Sequence, residues 1–335
     1  MSKGKVVVAM SGGVDSSVAA YLLKEAGYEV VGITMRLSSS QHPDYARQNR
    51  RCCTAEDADD ARRVCRVLGL PHYVLNFEKE FHTHVIEYFL EEYRRGRTPN
   101  PCLACNDYIK FDFLMRKARA LGAEKLATGH YARIDCAGGR YRLLRARDPT
   151  KDQTYVLYSL GQRELRYLLF PAGEHAKSDI RSIAQELRLP VADKPDSQDI
   201  CFIPDGDYRS FVRNHIEPHE GAIVDTDGTV LGKHDGVESF TIGQRKGLGI
   251  NTGARRYVID ISAEENRVVV GAEKALYCTS LIATNVRYTS DSPPADQTTI
   301  TAKVRHRSPE VEAELIAMGY KAEVRFRTPQ RAVAP

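Results

Sequence analysis

The sequence predicts an α/β protein: a doubly wound parallel sheet followed by two small β-rich domains, the last of them a β-barrel. Three observations carry this. From residue 5 to about 134, strand-length apolar runs alternate with stretches that are apolar at helical spacing, the rhythm of a parallel sheet covered by helices. After about Pro204 that rhythm stops, and short strand-like runs appear between turn signals. At 335 residues the chain is long enough for two or three domains of ~150 residues each, with boundaries expected at 1–205, 206–275 and 276–335.

The first strand is Lys5–Met10, carried by Val6-Val7-Val8. A helix from Ser16 to Glu25 follows, apolar at Val18, Ala19, Leu22 and Leu23 and closed by Gly27. Strand Glu29–Met35 comes next, then a polar segment, Ser38 to Arg51, that reads as a loop. Thr54 opens a helix with Asp57 three residues on, a capping-box pattern; its apolar face is Ala58, Ala61, Val64, Cys65 and Leu68, and Gly69 ends it. Strand His72–Phe77, a helix from about Glu80 to Tyr93, a helix Phe111–Leu121 and strand Lys125–Thr128 complete the alternation, and helix Ser178–Leu187 ends the α/β region. In such sheets ligands bind beyond the strand C-termini, so the loop at 11–16, Met35 and Gly129-His130 should share one crevice. Beyond Pro204 the turns are Asp225-Thr226-Asp227-Gly228, Lys233-His234-Asp235-Gly236 and the glycine-rich stretch from Gly243 to Gly253.

Composition excludes several classes. A hydrophobic share of 42% with 27% charged residues is globular rather than disordered. The longest apolar runs are strand-length, so no transmembrane helix is expected and no membrane partner. The N-terminus runs directly into the first strand and leaves no room for a signal peptide, which points to a soluble, cytoplasmic protein. Eight cysteines in that setting favour metal or catalytic use over a disulfide framework. The net charge of +4 is mild, but basic residues cluster at Arg94-Arg95-Gly96-Arg97, from Arg140 to Arg147, and from Lys303 to Arg307 with Arg325, Arg327 and Arg331.

The run Ala9-Met10-Ser11-Gly12-Gly13-Val14-Asp15-Ser16-Ser17 joins the first strand to the first helix. A glycine- and serine-rich loop emptying into a helix N-terminus is an anion site, because loop N–H groups and the helix dipole point at the ligand. The loop lacks the lysine of the GxxxxGK[ST] type. It resembles the pyrophosphate loop of the ATP pyrophosphatases, the PP-loop enzymes, whose fold is of the adenine nucleotide alpha hydrolase-like kind and which cleave ATP to AMP and pyrophosphate while adenylating an oxygen.

Two cysteine-bearing segments stand out: Asn100-Pro101-Cys102-Leu103-Ala104-Cys105-Asn106, expected in a loop between two helices, and Asp196-Ser197-Gln198-Asp199-Ile200-Cys201-Phe202. Thiols so placed could exchange sulfur, close a disulfide or bind metal. An ordered set of further motifs extends the pattern: Thr98-Pro99-Asn100-Pro101, Ile109-Lys110-Phe111, Ala127-Thr128-Gly129-His130-Tyr131, Lys151-Asp152-Gln153, Thr241-Ile242-Gly243-Gln244-Arg245 and Gly247-Leu248-Gly249. Together with the PP-loop they resemble the tRNA-specific 2-thiouridylases over nearly the whole chain.

That resemblance implies ATP, with Mg2+, at Ala9, Met10, Ser11, Gly12, Gly13, Val14, Asp15 and Ser16, and Met35 and Gly129 near adenine or ribose. It implies Cys105 as nucleophile and Cys201 as persulfide carrier. Asn100, Pro101 and Cys102 fall at target-base contacts; His130, Lys151, Asp152, Gln153, Arg305 and His306 fall at tRNA contacts. The implied partners are tRNA of the Lys, Glu and Gln acceptors and a persulfide donor such as a cysteine desulfurase or a sulfur-relay protein. A helix N-terminus expected near Ile109 would lower the pKa of Cys105.

Two departures leave alternatives open. Some relatives carry Asp where this chain has Cys102, so Cys102, Cys105 and Cys201 could instead form a three-thiolate set for a [4Fe–4S] cluster, or hold zinc. Relatives also run on past Arg331-Ala332-Val333-Ala334-Pro335 with closing strands, so the last barrel is expected to be truncated and open along an edge. The other cysteines read as structural: Cys52-Cys53 as packing thiols, Cys65 as core, and Cys136 and Cys278 as spectators. Asp57, Asp59 and Asp60 read as charge at a helix N-terminus.

Overall fold

The computed structural model describes residues 2–37, 55–196, 200–203, 206–295 and 297–334; the expected loop from Ser38, the pair Cys52-Cys53 and Ser197 to Asp199 lie outside the described residues. The chain divides into two compact units. Unit 1 comprises Met1–Ile86, Pro101–Gly206 and Arg287–Asp291; unit 2 comprises Glu87–Asn100, Asp207–Val286 and Ser292–Pro335.

Unit 1 is the expected α/β layer. Its strands are β1 (Lys5–Ala9), β2 (Glu29–Arg36), β3 (His72–Asn76), β4 (Lys125–Ala127), a hairpin of β5 (Ala132–Ala137) and β6 (Arg140–Arg145), and β7 (Leu168–Leu169). The main sheet runs β3-β2-β1-β4-β7 with every pairing parallel. Val6, Val7 and Val8 are fully buried, as a central parallel strand with both faces covered requires. Its helices include α1 (Val14–Glu25) and α2 (Ala55–Leu68). Val14, Val18 and Leu23 of α1 and Ala61, Val64, Cys65 and Leu68 of α2 pack with Val6, Val8 and Val30 in one core. Chain order runs outward from β1 to β3, then restarts at β4 on the other flank of β1. The sheet therefore has its switch point between β1 and β4, and the crevice beyond their C-terminal ends is where such sheets bind ligands.

Two expected helices differ in kind. The helix near 80–93 is α3 (Glu78–Phe81), a π-helical stretch His82–Ile86, and α4 (Glu87–Arg94), which belongs to unit 2. The supposed loop around the cysteines is helical: α5 (Pro101–Ala104) passes without a break into a π-helical stretch Cys105–Leu114 and then α6 (Met115–Ala120). Asn-Pro marks a turn into a helix here, because proline at the first helical position fixes the backbone angle and its missing N–H loses nothing. The expected helix start near Ile109 is thus corrected: Ile109 sits mid-helix and fully buried. Unit 1 also holds α7 (Gln162–Leu165) and α8 (Lys177–Glu186).

Unit 2 is β-rich, as expected. After α9 (Tyr208–Arg213), strands β8 (Gly221–Asp225), β9 (Val230–His234), β10 (Tyr257–Ser262) and β11 (Arg267–Gly271) form a sheet ordered β10-β11-β8-β9. Its core is Ile223, Val258, Val268 and Val270. Helices α4 and α9 meet through Phe89 on Phe211 and Tyr93 stacked on Tyr208. Strands β12 (Tyr277–Thr284), β13 (Gln297–Ala302), β14 (Val311–Met318) and β15 (Lys321–Arg331) form an antiparallel sheet ordered β12-β15-β14-β13, which is open between β12 and β13 among the described residues.

Candidate nucleotide and thiol site

The loop after β1 is built around two serines. Ser16 Oγ donates to the Gly13 carbonyl (3.1 Å) and accepts from the Ser11 N–H (3.2 Å), while Ser17 Oγ also donates to Gly13 O (2.9 Å). These bonds close the loop over the first turn of α1, whose cap residue Gly13 makes no side-chain capping bond. The helix therefore presents its N-terminal N–H groups without a capping side chain, and the Asp15 carboxylate of its first turn is engaged elsewhere. Gly12 has φ +70°, and a Cβ there would lie 2.4 Å from the Asp57 carbonyl oxygen. Gly129, just past β4, approaches so closely that a Cβ would lie 2.7 Å from the Ser16 nitrogen. The expected meeting of the 11–16 loop with Gly129 at the switch point is thus physical contact. Met35 lies on β2 beside this strand and is buried, as are Ala9, Met10 and Val14.

Asp15 anchors a charged network. Its Oδ1 accepts from the Tyr131 hydroxyl (2.7 Å) and from Lys177 Nζ (2.6 Å). The same ammonium lies 2.9 Å from Asp196 Oδ1, and Asp196 also accepts from Lys151 (2.9 Å) and Arg181 (2.8 Å). Burial alone would raise the pKa of Asp196, but the two lysines outweigh it and hold the carboxyl down at about 2. Burial, then the bond to Asp15 and the neighbouring carboxylates, push the Tyr131 phenol far up, so it stays a donor. On the other side of the loop Lys194 donates to the Gly12 carbonyl (3.1 Å), Asp57 (2.6 Å) and Asp60 (2.8 Å). Burial works against its charge, yet the two carboxylates raise its pKa.

Cys102 of α5 and Cys105, which opens the π-helical stretch, stand about one turn apart, the first exposed and the second buried. The neighbouring Asn106 is 1% exposed and fully engaged, donating to Val156 O (2.8 Å) and accepting from Lys110 (2.9 Å). Phe111 of the same helix packs 6.0 Å from His130, which brings the thiol helix against the segment after β4. Cys201 is half-buried; its neighbour Phe202 meets Phe81 of α3 edge-on at 5.8 Å, and α3 packs on the Cys105–Leu114 stretch. Cys65 is 1% exposed, and burial lifts its pKa to about 11, an inert core thiol.

The remaining predicted contacts divide. Lys151 binds Asp196. Asp152 accepts from Ala146 N (2.9 Å) and Thr154 Oγ1 (2.6 Å), and Gln153 Oε1 accepts from Tyr131 N (2.9 Å). These side chains shape the Tyr131 turn. His130 faces inward rather than outward: it is 9% exposed, its Nδ1 bonds Thr128 Oγ1 (2.6 Å), and burial followed by the Lys110 charge holds its pKa well below the usual range. Pro101 is buried at the helix start. Asn100, Arg305 and His306 belong to unit 2. There Arg305 donates to Ala332 O (2.6 Å) and Ile242 O (3.1 Å), and His306 is exposed.

Sequence reasoning missed Lys177 and Lys194, which nothing in their surroundings marks. Asp57 did leave a signal: with Ala61, Val64, Cys65 and Leu68 it falls on the buried stripe of its helix, where a carboxylate needs a partner. Among the described residues no group of three or more His, Cys, Asp or Glu is arranged to hold a metal ion.

Fold and site together define a PP-loop nucleotide-binding domain carrying thiols, followed by β-rich domains. Family models match in the same order: the tRNA methyl transferase HUP domain over residues 4–205, the tRNA methyl transferase PRC-barrel domain over 209–272, and the aminomethyltransferase beta-barrel domain over 278–335. A protein of Caldicellulosiruptor saccharolyticus named tRNA-specific 2-thiouridylase MnmA is 47% identical over 99% of this chain and 93% of its own length. A Carboxydothermus hydrogenoformans protein of that name is 48% identical over 100% of this chain and 93% of its own. Among solved structures, the Methanococcus maripaludis U34-tRNA thiolase NcsA with its [4Fe-4S] cluster shows 20% identity and a TM-score of 0.38, covering 64% of each chain. The chain belongs to the family of tRNA-specific 2-thiouridylases.

Proposed function

We propose that this protein replaces the C2 oxygen of the wobble uridine of tRNA by sulfur, using ATP. The observation that carries the reading is the 47% identity, over 99% of the chain, to a protein named for that activity. In this reading residues 1–205 carry out the chemistry, and 206–275 and 276–335 help hold the RNA. Ala9 to Ser16 hold the triphosphate at the α1 N-terminus, with Met35 and Gly129 beside the nucleoside.

The uridine O2 attacks the α-phosphate; the bond to the β-phosphate breaks, pyrophosphate leaves, and C2 now bears an AMP leaving group. Loop N–H groups and Lys177 face the negative charge that develops. Magnesium bound with the phosphates needs only one or two protein carboxylates, and Asp15 is the carboxylate at this loop that would hold it. The terminal sulfur of a Cys201 persulfide attacks C2 and expels AMP. The Cys105 thiolate then attacks Cys201 Sγ; the persulfide S–S bond breaks, 2-thiouridine is released, and a Cys105–Cys201 disulfide remains for an external dithiol to reduce. The target base leaves its stack to enter the crevice, and Asn100, Pro101 and Cys102 meet it. Lys151, Asp152, Gln153, Arg305 and His306 serve the tRNA interface, the first three through the Tyr131 turn. The tRNAs are those of the Lys, Glu and Gln acceptors, the sulfur arrives from a cysteine desulfurase or relay protein, and the reaction is cytoplasmic.

The test is mass spectrometry of nucleosides from unmodified tRNA incubated with enzyme, ATP and a persulfide donor. The expected product is 2-thiouridine, with AMP and pyrophosphate in equal amounts. Uridine left unchanged by protein that binds ATP would refute the reading. Iron analysis after anaerobic purification decides between the persulfide and a cluster: full activity without iron supports the persulfide.

A further inference from the structure

Unit 1 carries a cleft of about 280 Å³ between the thiol helix and α7, walled by Arg116, Arg119, Arg163, Arg166 and Arg287. All five arginines are exposed. Five guanidinium groups face three carboxyls there, and each carboxyl is already engaged. Asp112 pairs with Arg116 (2.8 Å), Glu164 accepts from the Gly161 N–H (3.1 Å), and Asp107 accepts from the Ser159 hydroxyl. Among the described residues Arg119, Arg163 and Arg166 form no ion pair, while the Arg287 charge partly offsets the burial that raises the pKa of Asp107. Arg119 and Arg166 instead rest on one aromatic ring, 4.9 and 4.6 Å from the centroid of Tyr167.

This arrangement does not serve stability. Arg116 and Arg119 are like charges three residues apart on α6, and Arg163 and Arg166 repeat the spacing at α7; such pairs each disfavour the helix by a few tenths of a kcal/mol. Placement near helix C-termini accounts for Arg119, Arg163 and Arg166 but not for Arg287. The arginines outnumber the carboxyls of the cleft, and forked guanidinium groups held on an aromatic face match phosphate oxygens. At the rim Tyr108 is 44% exposed and stacks on His84 at 5.0 Å, a ring on which a base can lie. The helix that carries Cys105 also carries Arg116 and Arg119, roughly 15 Å further along at helical rise.

We propose that this arginine cleft seats the ribose-phosphate backbone of the RNA substrate, away from the nucleotide loop. The inference rests on the sulfur-transfer reading and adds to it a second hold on the RNA. A flipped base needs its flanking backbone fixed, and contacts to phosphate position without reading sequence.

The experiment compares the full-length chain with its Arg119→Ala/Arg163→Ala/Arg166→Ala form. Affinity for unmodified tRNA is measured by fluorescence anisotropy between about 50 and 200 mM salt, with ATP affinity as the control for folding. The expected result is about tenfold weaker RNA binding and a salt slope smaller by about two, since each lost phosphate contact removes ~0.7–0.9 from it. The charge-retaining Arg163→Lys/Arg166→Lys form keeps the slope. If the triple variant matches the wild type in affinity and slope while the wild type binds and thiolates tRNA, the proposal is overturned and the sulfur-transfer reading stands. If RNA affinity is unchanged but tripolyphosphate raises the melting temperature of the wild type and not of the variant, the cleft holds a small phosphate compound and the proposal again falls. A wild-type chain that binds no tRNA at all overturns the sulfur-transfer reading itself.

Discussion

Replacing Lys177 by methionine removes one ammonium from between two carboxylates while keeping most of the side-chain volume. Lys177 is 9% exposed and sits 2.6 Å from Asp15 Oδ1 and 2.9 Å from Asp196 Oδ1. The depression of Asp196 from 3.8 to about 2 corresponds to about 2 kcal/mol favouring its ionised form in the fold. Lys151 shares in that, so Lys177 holds about 1 kcal/mol of it. Removing one partner of a fully buried pair costs 3–5 kcal/mol. Here the carboxylate side chains are 32% and 22% exposed, so solvent screens the loss and the sum is about 2 kcal/mol.

For a unit of this size that is a fall of roughly 4–8 °C in melting temperature. The Asp15 carboxylate, left with only the Tyr131 hydroxyl, would also face the incoming triphosphate, weakening ATP by about fivefold for ~1 kcal/mol. The pH dependence has a definite sign. Asp196 is depressed in the fold, so its contribution is complete above 3.8 and is lost as pH falls through about 2; the gap between wild type and Lys177→Met closes over that window. Calorimetry and ATP titration measure both effects. A variant that melts within about 1 °C of wild type and binds ATP equally would refute the reasoning.

Three further outcomes are expected. Cys105→Ser and Cys201→Ser should each abolish sulfur transfer, read by nucleoside mass spectrometry, with ATP affinity retained; turnover by either variant would remove the thiol pair from the chemistry. Gly12→Ala places a Cβ 2.4 Å from the Asp57 carbonyl at φ +70°, so it should lose ATP binding in a calorimetric titration, through strain of about 1–2 kcal/mol plus the clash. His234 in β9 is 5% exposed, neither ring nitrogen has a side-chain bonding partner among the described residues, and burial lowers its pKa below 6.5. The unfolded chain then takes up a proton that the fold refuses, so the urea midpoint of unit 2 should drop as pH falls below 6.5, and His234→Phe should flatten that drop.

Most of the α/β layer was legible because its signals are local. Val6-Val7-Val8 can only be a covered strand, and Gly12-Gly13 before an amphipathic stretch can only be a turn into a helix. The thiol helix was misread because Asn100-Pro101 is equally good as a loop signal and as a helix start, and only tertiary packing decides. The π-helical stretch left no mark, since an inserted residue shifts a buried face without changing composition. The burial of His130 left no mark in the sequence, because a motif gives a residue's neighbours in sequence; the rings of Phe111 and Phe170 that enclose it come from other elements.

The lysines show where such reading ends. Lys177 and Lys194 lie 162 and 182 residues from the loop they support, and each resembles any surface lysine until the sheet brings it home. Their placement has a physical reason. In the proposed function the loop receives the phosphates of ATP, which uncompensated Asp15, Asp57 and Asp60 would repel. Lys177 faces Asp15, and Lys194 serves Asp57 and Asp60 together; both lysines come from the segment that follows β7, and this same segment leads through Asp196 to Cys201. The pairing of Asp15 with Lys177, and of Lys177 with Asp196, thus ties the loop after β1 to the segment that leads to Cys201. In the proposed function, a charged link of this kind would keep the nucleotide loop and the Cys201 segment together without requiring either cysteine to touch the loop.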